Sequence, residues 1–286
     1  MLEFRGRRID RDRPLVMAIV NRTPDSFYDR GATYGFDDAM AATCVAVADG
    51  ADIVDIGGVK AGPGVDVDTD EEIRRVVPFI GAVRQKFPDL VISVDTWRHE
   101  VGRLACAEGA DLINDTWQSA DPRLAEIAAE FDAGYVCSHA GGLPPRTRPF
   151  RVRYPDVVCD VLDEVVRRAE EVVRIGVPRA GVLIDPTHDF GKNTWHGLEL
   201  LRRVDELTGS GWPVLMALSN KDFIGETLGV GLTERVDGTL AATAIAAWHG
   251  AAIFRAHEVR RTRQVVEMIA SIKGTRPPSR CVRGLA

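Results

Sequence analysis

Short apolar runs rich in Val and Ile recur along the chain, and longer stretches with apolar residues at helical spacing separate them. This alternation is typical of parallel β-strands joined by crossover helices, because such strands are buried on both faces. The runs lie at residues 15–20, 53–56, 91–94, 112–113, 135–137, 182–184, 214–218 and 252–254. Eight β/α units predict an α/β protein with a closed TIM barrel, the (β/α)8 fold; an open doubly wound sheet is the alternative.

Glycines mark the predicted connections between helices and strands. Gly50, Gly109 and Gly250 each stand where a helix is expected to end, just before a strand, and predict αβ turns. Two longer loops, residues 59–70 and 139–153, follow predicted strands, where the functional loops of a barrel lie. Without a recognisable linker, residues 1–286 are expected to form a single domain, with residues 274–286 as a candidate disordered tail.

Composition narrows the class of protein. The chain of 286 residues is 45% hydrophobic and 27% charged, enough for a large core, and its net charge of -6 argues against a dedicated nucleic-acid or membrane-surface binder. The longest uncharged stretch, residues 238–254, is shorter than the ~20 residues of a membrane span. The amino terminus lacks the apolar region of a signal peptide, and the five cysteines are scattered. We expect a cytoplasmic protein with reduced thiols.

Polar residues follow every predicted strand, at the end where barrels place their chemistry. The carboxylates of Asp95 and Asp185 and the amide of Asn114 suit a ligand ring with a guanidine-like edge. Near the last two strands, where barrels commonly hold phosphate, the candidate cations are Lys221, Arg255 and His257. A phosphorylated heterocycle is therefore the expected ligand, although each residue taken alone could be structural. The full set is Asn21, Asp55, Asp95, Asn114, Ser138 with His139, Asp185, Ser219 with Lys221, and Arg255 with His257.

Other chemistries have weaker support. Ser138, His139 and Asp185 could form a triad, but the serine lacks a Gly-x-Ser-x-Gly elbow, which favours ordinary loop polar groups. The histidines lack the spacing of a tightly bound zinc, whereas Mg²⁺ held between protein oxygens and phosphate is compatible with the sequence. Neither a Gly-x-Gly-x-x-Gly nor a Walker motif is present, which excludes the common dinucleotide and P-loop sites.

Eight segments, taken together, resemble dihydropteroate synthase of folate biosynthesis, and the resemblance spans Met17 to about Val259. They are Asn-Arg-Thr-Pro-Asp-Ser-Phe at 21–27, Asp-Ile-Gly-Gly at 55–58, Ser-Val-Asp-Thr at 93–96, Ile-Asn-Asp at 113–115, Asp-Pro at 185–186, Phe-Gly-Lys at 190–192, Ser-Asn-Lys-Asp-Phe-Ile-Gly at 219–225 and Arg-Ala-His at 255–257. The resemblance implies a TIM barrel, a homodimer, and the joining of 6-hydroxymethyl-7,8-dihydropterin diphosphate to p-aminobenzoate. Diphosphate would leave with the help of Mg²⁺, and the amine would attack a pterin methyl cation.

The resemblance also implies roles for individual residues. Those that would bind the pterin are Asp95, Asn114, Asp185 and Lys221. Of these, Asp95 and Lys221 would act in the catalytic step, with Asp95 stabilising the cation electrostatically. Those that would bind diphosphate are Asn21, Arg255 and His257, and Asn21 would also contact the metal.

Departures from the family pattern cluster at the expected p-aminobenzoate site. The family's Thr and Arg before Pro63 are Ala61 and Gly62 here, and its Ser-Arg-Lys-Ser becomes Ser-Asn-Lys-Asp at 219–222. In the family's Asp-Pro-Gly-x-Gly-Phe-Gly-Lys, this chain has Thr187, His188 and Asp189 before Phe190. A lost charge-assisted contact weakens binding by about 1.5–3 kcal/mol, and a like charge weakens it further. The altered site comprises Ala61, Gly62, Pro63, Asp189, Phe190, Asn220 and Asp222.

The sequence therefore predicts a dihydropteroate synthase homologue that keeps much of the pterin and diphosphate pocket and lacks efficient synthase activity. One alternative is an active synthase in which Lys60, Arg146 or Arg148 supplies the missing cation. A second is a non-catalytic pterin-binding or partner-binding dimer, with Trp248 and residues 240–248 as a candidate contact. A third is an enzyme with another nucleophile, because pterin-binding methyltransferases share this fold.

Overall fold

The computed structural model describes residues 1–9, 12–24, 31–147 and 153–283. An antiparallel hairpin, β1 (Leu2–Phe4) and β2 (Arg7–Ile9), precedes a sheet of eight parallel strands. The strands of this sheet are β3 (Leu15–Asn21), β4 (Ile53–Gly57), β5 (Val91–Asp95), β6 (Leu112–Asp115), β7 (Gly134–Ser138), β8 (Val182–Asp185), β9 (Leu215–Met216) and β10 (Ile253–Ala256). Each contains or overlaps one of the eight apolar runs.

The sheet closes on itself almost completely. Its strand order is β8-β7-β6-β5-β4-β3-β10-β9, and a parallel bridge between Ile184 and Val214 brings the two outer strands together. The prediction of a TIM barrel is confirmed. Strand register places Asp95 of β5 beside Asn114 of β6, so polar residues from distant parts of the chain meet at the carboxyl end of the barrel.

Helices surround the barrel and bury their apolar faces against the outward-facing side chains of the strands. Asp68 and Asp156 accept hydrogen bonds from the first-turn amides of two of these helices, α2 and α5, which stabilises their amino-terminal ends. The helices are α1 (Phe36–Ala48), α2 (Thr69–Lys86), α3 (His99–Ala107), α4 (Arg123–Glu130), α5 (Val157–Ile175), α6 (Thr194–Arg202), α7 (Val204–Thr208), α8 (Asp222–Leu228), α9 (Val236–Trp248) and α10 (Val259–Ile272).

The amino-terminal hairpin, which the sequence pattern did not predict, covers the amino ends of the strands. Leu2 and Phe4 are fully buried in a cluster with strand-start residues such as Leu15 and Leu112. A side chain at Gly134 would come within 2.4 Å of the Phe4 ring, so the hairpin packs directly on β7. This end of the barrel is filled, and the open end is the one with the polar strand ends.

The predicted glycine turns are confirmed. Gly50, Gly109 and Gly250 have φ angles of 92°, 113° and 101°, which favour glycine. Asp52 and Asp111, two residues after the first two of these glycines, accept hydrogen bonds from the amides of neighbouring strands, Val16 at 2.8 Å and Ile92 at 2.9 Å. These carboxylates fix the start of adjacent strands.

Three further observations concern the cysteines, membrane-spanning helices and the carboxyl-terminal segment. All five cysteines are free thiols. Among the described residues, no helix is long and apolar enough to span a bilayer. In the carboxyl-terminal segment, Thr275 donates a hydrogen bond to the carbonyl of Asp12 at 2.9 Å, and residues 284–286 lie outside the described part of the chain.

Candidate functional site

A cavity of about 720 Å³ opens at the carboxyl end of the barrel. The structure brings together around it all seven residues predicted to bind pterin and diphosphate: Asn21, Asp95, Asn114, Asp185, Lys221, Arg255 and His257. Of the residues assigned to the altered site, Ala61, Gly62, Pro63, Asp189, Phe190 and Asp222 line the same cavity. Its size is within the range of pockets that bind small molecules.

Arg255 of β10 joins two acidic strand ends in the wall of this cavity. Its Nε donates to Asp55 Oδ2 at 2.6 Å, and its Nη2 donates to Asp95 Oδ2 at 2.9 Å. Asp55, which had no assigned role, is fully buried and also accepts from Ser93 Oγ at 2.6 Å. Burial opposes the charge of Arg255, but Asp55 and Asp95 hold its pKa above the usual value. Its guanidinium group is therefore fixed in place.

The two carboxylates expected to face the pterin have raised pKa values. Burial raises the pKa of Asp95 to about 7 against the opposing effect of Arg255, and Asp55 adds to the rise. Burial raises the pKa of Asp185 to about 6, opposed by a 2.7 Å hydrogen bond from the Thr187 amide. A positively charged or donor-rich ligand edge would stabilise the ionised form of both carboxylates.

Asn114 presents an unused acceptor to this part of the cavity. Its Nδ2 donates to Asp55 Oδ2 at 3.1 Å, which orients the amide. Its Oδ1 is buried and lacks a hydrogen-bond partner in the described part of the chain. A buried acceptor without a partner is costly, so a ligand that donates a hydrogen bond here would stabilise the protein.

At the end of β3, Asn21 and Thr23 line the cavity. The backbone carbonyl of Asn21 accepts from Thr33 Oγ1 at 2.6 Å. Thr23, which had no assigned role, is buried and lines the cavity, and its Oγ1 has no partner among the described residues. Amide and hydroxyl oxygens suit Mg²⁺, which takes few protein ligands when phosphate is bound. Residues 25–27 of the motif lie outside the described residues.

Arg22 does not contribute a cation to the cavity. Its side chain is buried away from the lining and donates to the carbonyl oxygens of Tyr34 and Arg75. It also lies over the rings of Phe36 and Phe79, with its guanidinium carbon 5.6 and 5.1 Å from their centroids. Arg22, which stands where the family pattern has an apolar residue, therefore has a packing role.

His257, a candidate cation in the sequence, lies in surroundings that disfavour its charged form. Burial lowers its pKa to about 3, and the charges of Arg255 and Lys221 add to this effect. Its Nδ1 lies 3.0 Å from Ser219 Oγ, which holds the ring in the cavity wall. His257 can therefore contribute a hydrogen bond rather than a charge.

Lys221 and Asp189 form an ion pair across the cavity. The Lys221 ammonium group donates to Asp189 Oδ2, and both side chains line the space next to Phe190. Asp189 stands where the family pattern has glycine. Lys221, which was expected to bind the pterin, thus has a counterion within the protein.

Asn220 and Asp222, which flank Lys221 in the sequence, have different surroundings. Asn220 is fully buried, has a φ of 56°, and lies outside the lining of this cavity. The backbone amide of Asn220 donates to Thr239 Oγ1 at 3.0 Å, which turns the residue toward α9. Asp222 does line the cavity, but its Oδ1 accepts from Arg235 at 2.8 Å.

The loop after β4 forms the opposite wall. Ala61 and Gly62 replace the family's Thr and Arg, and a Cβ atom built on Gly62 would have no atom within 4 Å. Arg146 donates to the Gly62 carbonyl at 3.3 Å, so it supports the loop instead of lining the cavity. Lys60 does line the cavity, and it has no hydrogen bond or ion pair with any described residue. Arg148 lies outside the described residues.

Ser138, His139 and Asp185 do not form a triad. Ser138 Oγ donates to the Asp115 carbonyl at 2.5 Å, and His139 Nε2 lies 2.9 Å from Asp160. On its other side, His139 Nδ1 lies 2.8 Å from the ammonium group of Lys192. The preference for ordinary polar contacts over a serine triad is confirmed.

A (β/α)8 barrel with acidic, amide and basic strand ends around one cavity defines a class of barrels that bind small ligands at the carboxyl end of the strands. Residues 17–257 match the family described as pterin binding enzyme. The chain belongs to this family, and within it the chain is a divergent dihydropteroate synthase homologue.

Three relatives illustrate this placement. "Inactive dihydropteroate synthase 2" of Mycobacterium leprae is 66% identical over 285 residues, covering 98% of each chain. The dihydropteroate synthase of Yersinia pestis, solved with a sulfonamide drug, has a TM-score of 0.90 at 34% identity over 96% of this chain and 99% of that one. The Coxiella burnetii dihydropteroate synthase, solved with pteroic acid, has a TM-score of 0.86 at 30% identity over the same shares.

Proposed function

We propose that this protein binds a pterin diphosphate and lacks efficient dihydropteroate synthase activity. The observation that carries the proposal is the ion pair between Asp189 and Lys221, because it occupies the cation that a carboxylate substrate would need. Loss of the family's Thr and Arg, which are Ala61 and Gly62 here, would also weaken binding of a carboxylate substrate. The Mycobacterium leprae relative, which shares 66% of its residues with this chain, is named as inactive.

Binding of the pterin rests on the strand ends. In this proposal Asp95, Asn114 and Asp185 bind the donor-rich edge of the ring, and the unpartnered Oδ1 of Asn114 accepts one of its hydrogen bonds. The Coxiella burnetii synthase was solved with pteroic acid, which contains a pterin. Lys221 would complete the set if the pterin drew it from Asp189.

Diphosphate would lie between β3 and β10. Arg255 would supply positive charge if the diphosphate competed with Asp55 and Asp95 for its guanidinium group. His257 would add a neutral hydrogen-bonding group, and Asn21 and Thr23 the oxygen atoms that would hold Mg²⁺. The ion would neutralise the phosphate charge when bound. In any residual turnover Asp95 would stabilise positive charge on the pterin methylene group, and Lys221 would be the second catalytic residue.

Assembly and location belong to the same proposal. Ile245 and Trp248 on α9 are 51% and 48% exposed, and these side chains would be covered in a homodimer of the kind that the resemblance implies. Free cysteines fit the reducing cytoplasm. Sedimentation of the purified chain would test the dimer directly.

Titration calorimetry with 6-hydroxymethyl-7,8-dihydropterin diphosphate and Mg²⁺ tests the function. We expect micromolar binding, followed by no diphosphate release at enzyme rates when p-aminobenzoate is added to the same sample. Asp185→Asn should weaken pterin binding at least tenfold, whereas the matched change at exposed Asp89 should not. Release at ordinary enzyme rates would contradict the loss of activity and favour an active synthase that uses Lys60.

A further inference from the structure

His188 is a buried side chain that the proposed function does not use. It lies in the loop between β8 and α6, lines the cavity, and is only 2% exposed. Neither of its ring nitrogens has a hydrogen-bond partner among the residues that the structure describes. Its ring centroid lies 5.5 Å from that of Phe223. Buried polar atoms without partners are rare in folded proteins, so this imidazole calls for an external partner.

The imidazole of His188 is uncharged near neutral pH. Burial lowers its pKa to about 3, and the nearby charges of Lys192 and Lys221 lower it further. A neutral imidazole offers one donor and one acceptor. A carboxamide can satisfy either nitrogen, because its oxygen accepts and its nitrogen donates. A carboxylate can use only the donor, and the ring would not neutralise its charge.

The surrounding charges disfavour an anion at this end of the cavity. Asp189 already holds Lys221, and the carboxylate of Glu226, which also lines the cavity, accepts a hydrogen bond from Thr194. An anionic ligand would therefore meet two carboxylates without a free lysine beside them. Lys60, on the loop after β4, would favour an anion. The variant Lys60→Gln therefore tests whether an anion binds through this lysine.

We propose that the second half of the cavity binds an uncharged aromatic ligand with a carboxamide-type group, which His188 recognises by hydrogen bonding. Phe190 and Pro63, which line the same space, would pack against the aromatic ring. The inference deepens the proposed function and rests on it, because the pterin would occupy the half of the cavity formed by Asp95, Asn114 and Asp185.

Three probes of the same shape test the charge preference in the full-length protein. They are 4-aminobenzamide, which is neutral, 4-aminobenzoate, which is an anion, and 4-aminobenzamidine, which is a cation. By titration calorimetry, with and without the dihydropterin diphosphate and Mg²⁺, we expect the amide to bind at least tenfold more tightly than either charged probe. Tightest binding of the benzoate, abolished in Lys60→Gln, would overturn the proposal, as would equal binding of all three.

A variant then tests the role of His188. His188→Phe keeps an aromatic ring against Phe223 and removes two unpartnered nitrogens, so its melting temperature should rise. Amide binding should fall at least tenfold, while binding of the pterin diphosphate stays within twofold. His249→Phe, on the exposed end of α9, is the matched control and should leave amide binding unchanged. Unchanged amide binding in His188→Phe would overturn the proposal.

The two proposals fail separately. Absence of pterin diphosphate binding would refute the proposed function, whatever the probes do. The probe titrations without pterin, compared between the wild-type protein and His188→Phe, then decide the role of His188 independently, because only the contacts of this side chain differ.

Discussion

Asp189 accepts a hydrogen bond from the ammonium group of Lys221, and this ion pair lies in the wall of the cavity beside Phe190. The two residues come from loops that follow different strands, 32 positions apart in sequence. The pair ties these loops together, and Asp189 competes with an entering carboxylate ligand for the charge of Lys221.

Neutralising Asp189 should therefore release Lys221 for a carboxylate ligand. Asp189→Asn keeps the shape of the side chain, and we expect p-aminobenzoate to bind about tenfold more tightly, which corresponds to about 1.4 kcal/mol for one charge-assisted contact. Calorimetry in the presence of the pterin diphosphate measures this. Asp222→Asn is the matched control, because Asp222 pairs with Arg235 rather than Lys221. An equal gain in both variants would mean that general charge, not this pair, controls binding.

The loop after β4 allows the lost arginine to be restored. Because a Cβ atom at Gly62 would have no atom within 4 Å, we expect Gly62→Arg to be tolerated and to place a cation at the cavity mouth. We expect at least tenfold tighter binding of p-aminobenzoate by Gly62→Arg, and a further gain when Ala61→Thr is added. Gly62→Gln, similar in length but uncharged, separates charge from bulk. If the Gln variant improves binding as much as the Arg variant, loop packing is the cause.

The fold was predictable because buried parallel strands produce continuous Val and Ile runs that stand out from helical spacing. The strand-end residues were predictable as a group, since parallel strands bring their carboxyl ends to one edge. The pairing of Asp55 with Arg255 was not, because these residues are 200 positions apart and either could have paired locally. The position of Asn220 behind the cavity wall was not predictable either, because residue type alone does not reveal its burial or its positive φ. The β1–β2 hairpin is too short and too charged to give a strand pattern.

Lys192 stabilises the loops that shape the cavity. Its ammonium group lies 2.8 Å from His139 Nδ1 and within 3.1 Å of the carbonyls of His139, Thr187 and Phe190. Burial lowers its pKa to about 7, opposed by the negative charges of Asp185, Asp160 and Asp189. Lys192→Met should lower the free energy of unfolding by about 3 kcal/mol in urea titrations, because three buried carbonyls lose their donor. Lys86→Met, on the exposed end of α2, should change it by less than about 1 kcal/mol. A loss of stability no larger than that control would contradict this role.

Asp185 should make stability depend on pH in a defined window. Its pKa is about 6 in the folded chain, against 3.8 for an unperturbed aspartate, because burial disfavours its charge. The folded state therefore holds a proton that the unfolded state has released between about pH 4 and pH 6. Over that range the contribution of Asp185 to stability falls as pH rises, by about 3 kcal/mol in total, and it is constant above pH 6.

Asp185→Asn should remove this part of the pH dependence. Urea unfolding at pH 4, 5, 6 and 7 measures it, and the wild-type protein should lose more stability across the series than Asp185→Asn. Asp89→Asn, at an exposed position, should follow the wild type. Binding of the pterin diphosphate should change in the opposite direction, tightening as Asp185 ionises near pH 6, because the ionised carboxylate accepts hydrogen bonds from the ligand. Equal pH dependence in the wild type and Asp185→Asn would show that the carboxyl group is already ionised throughout this range.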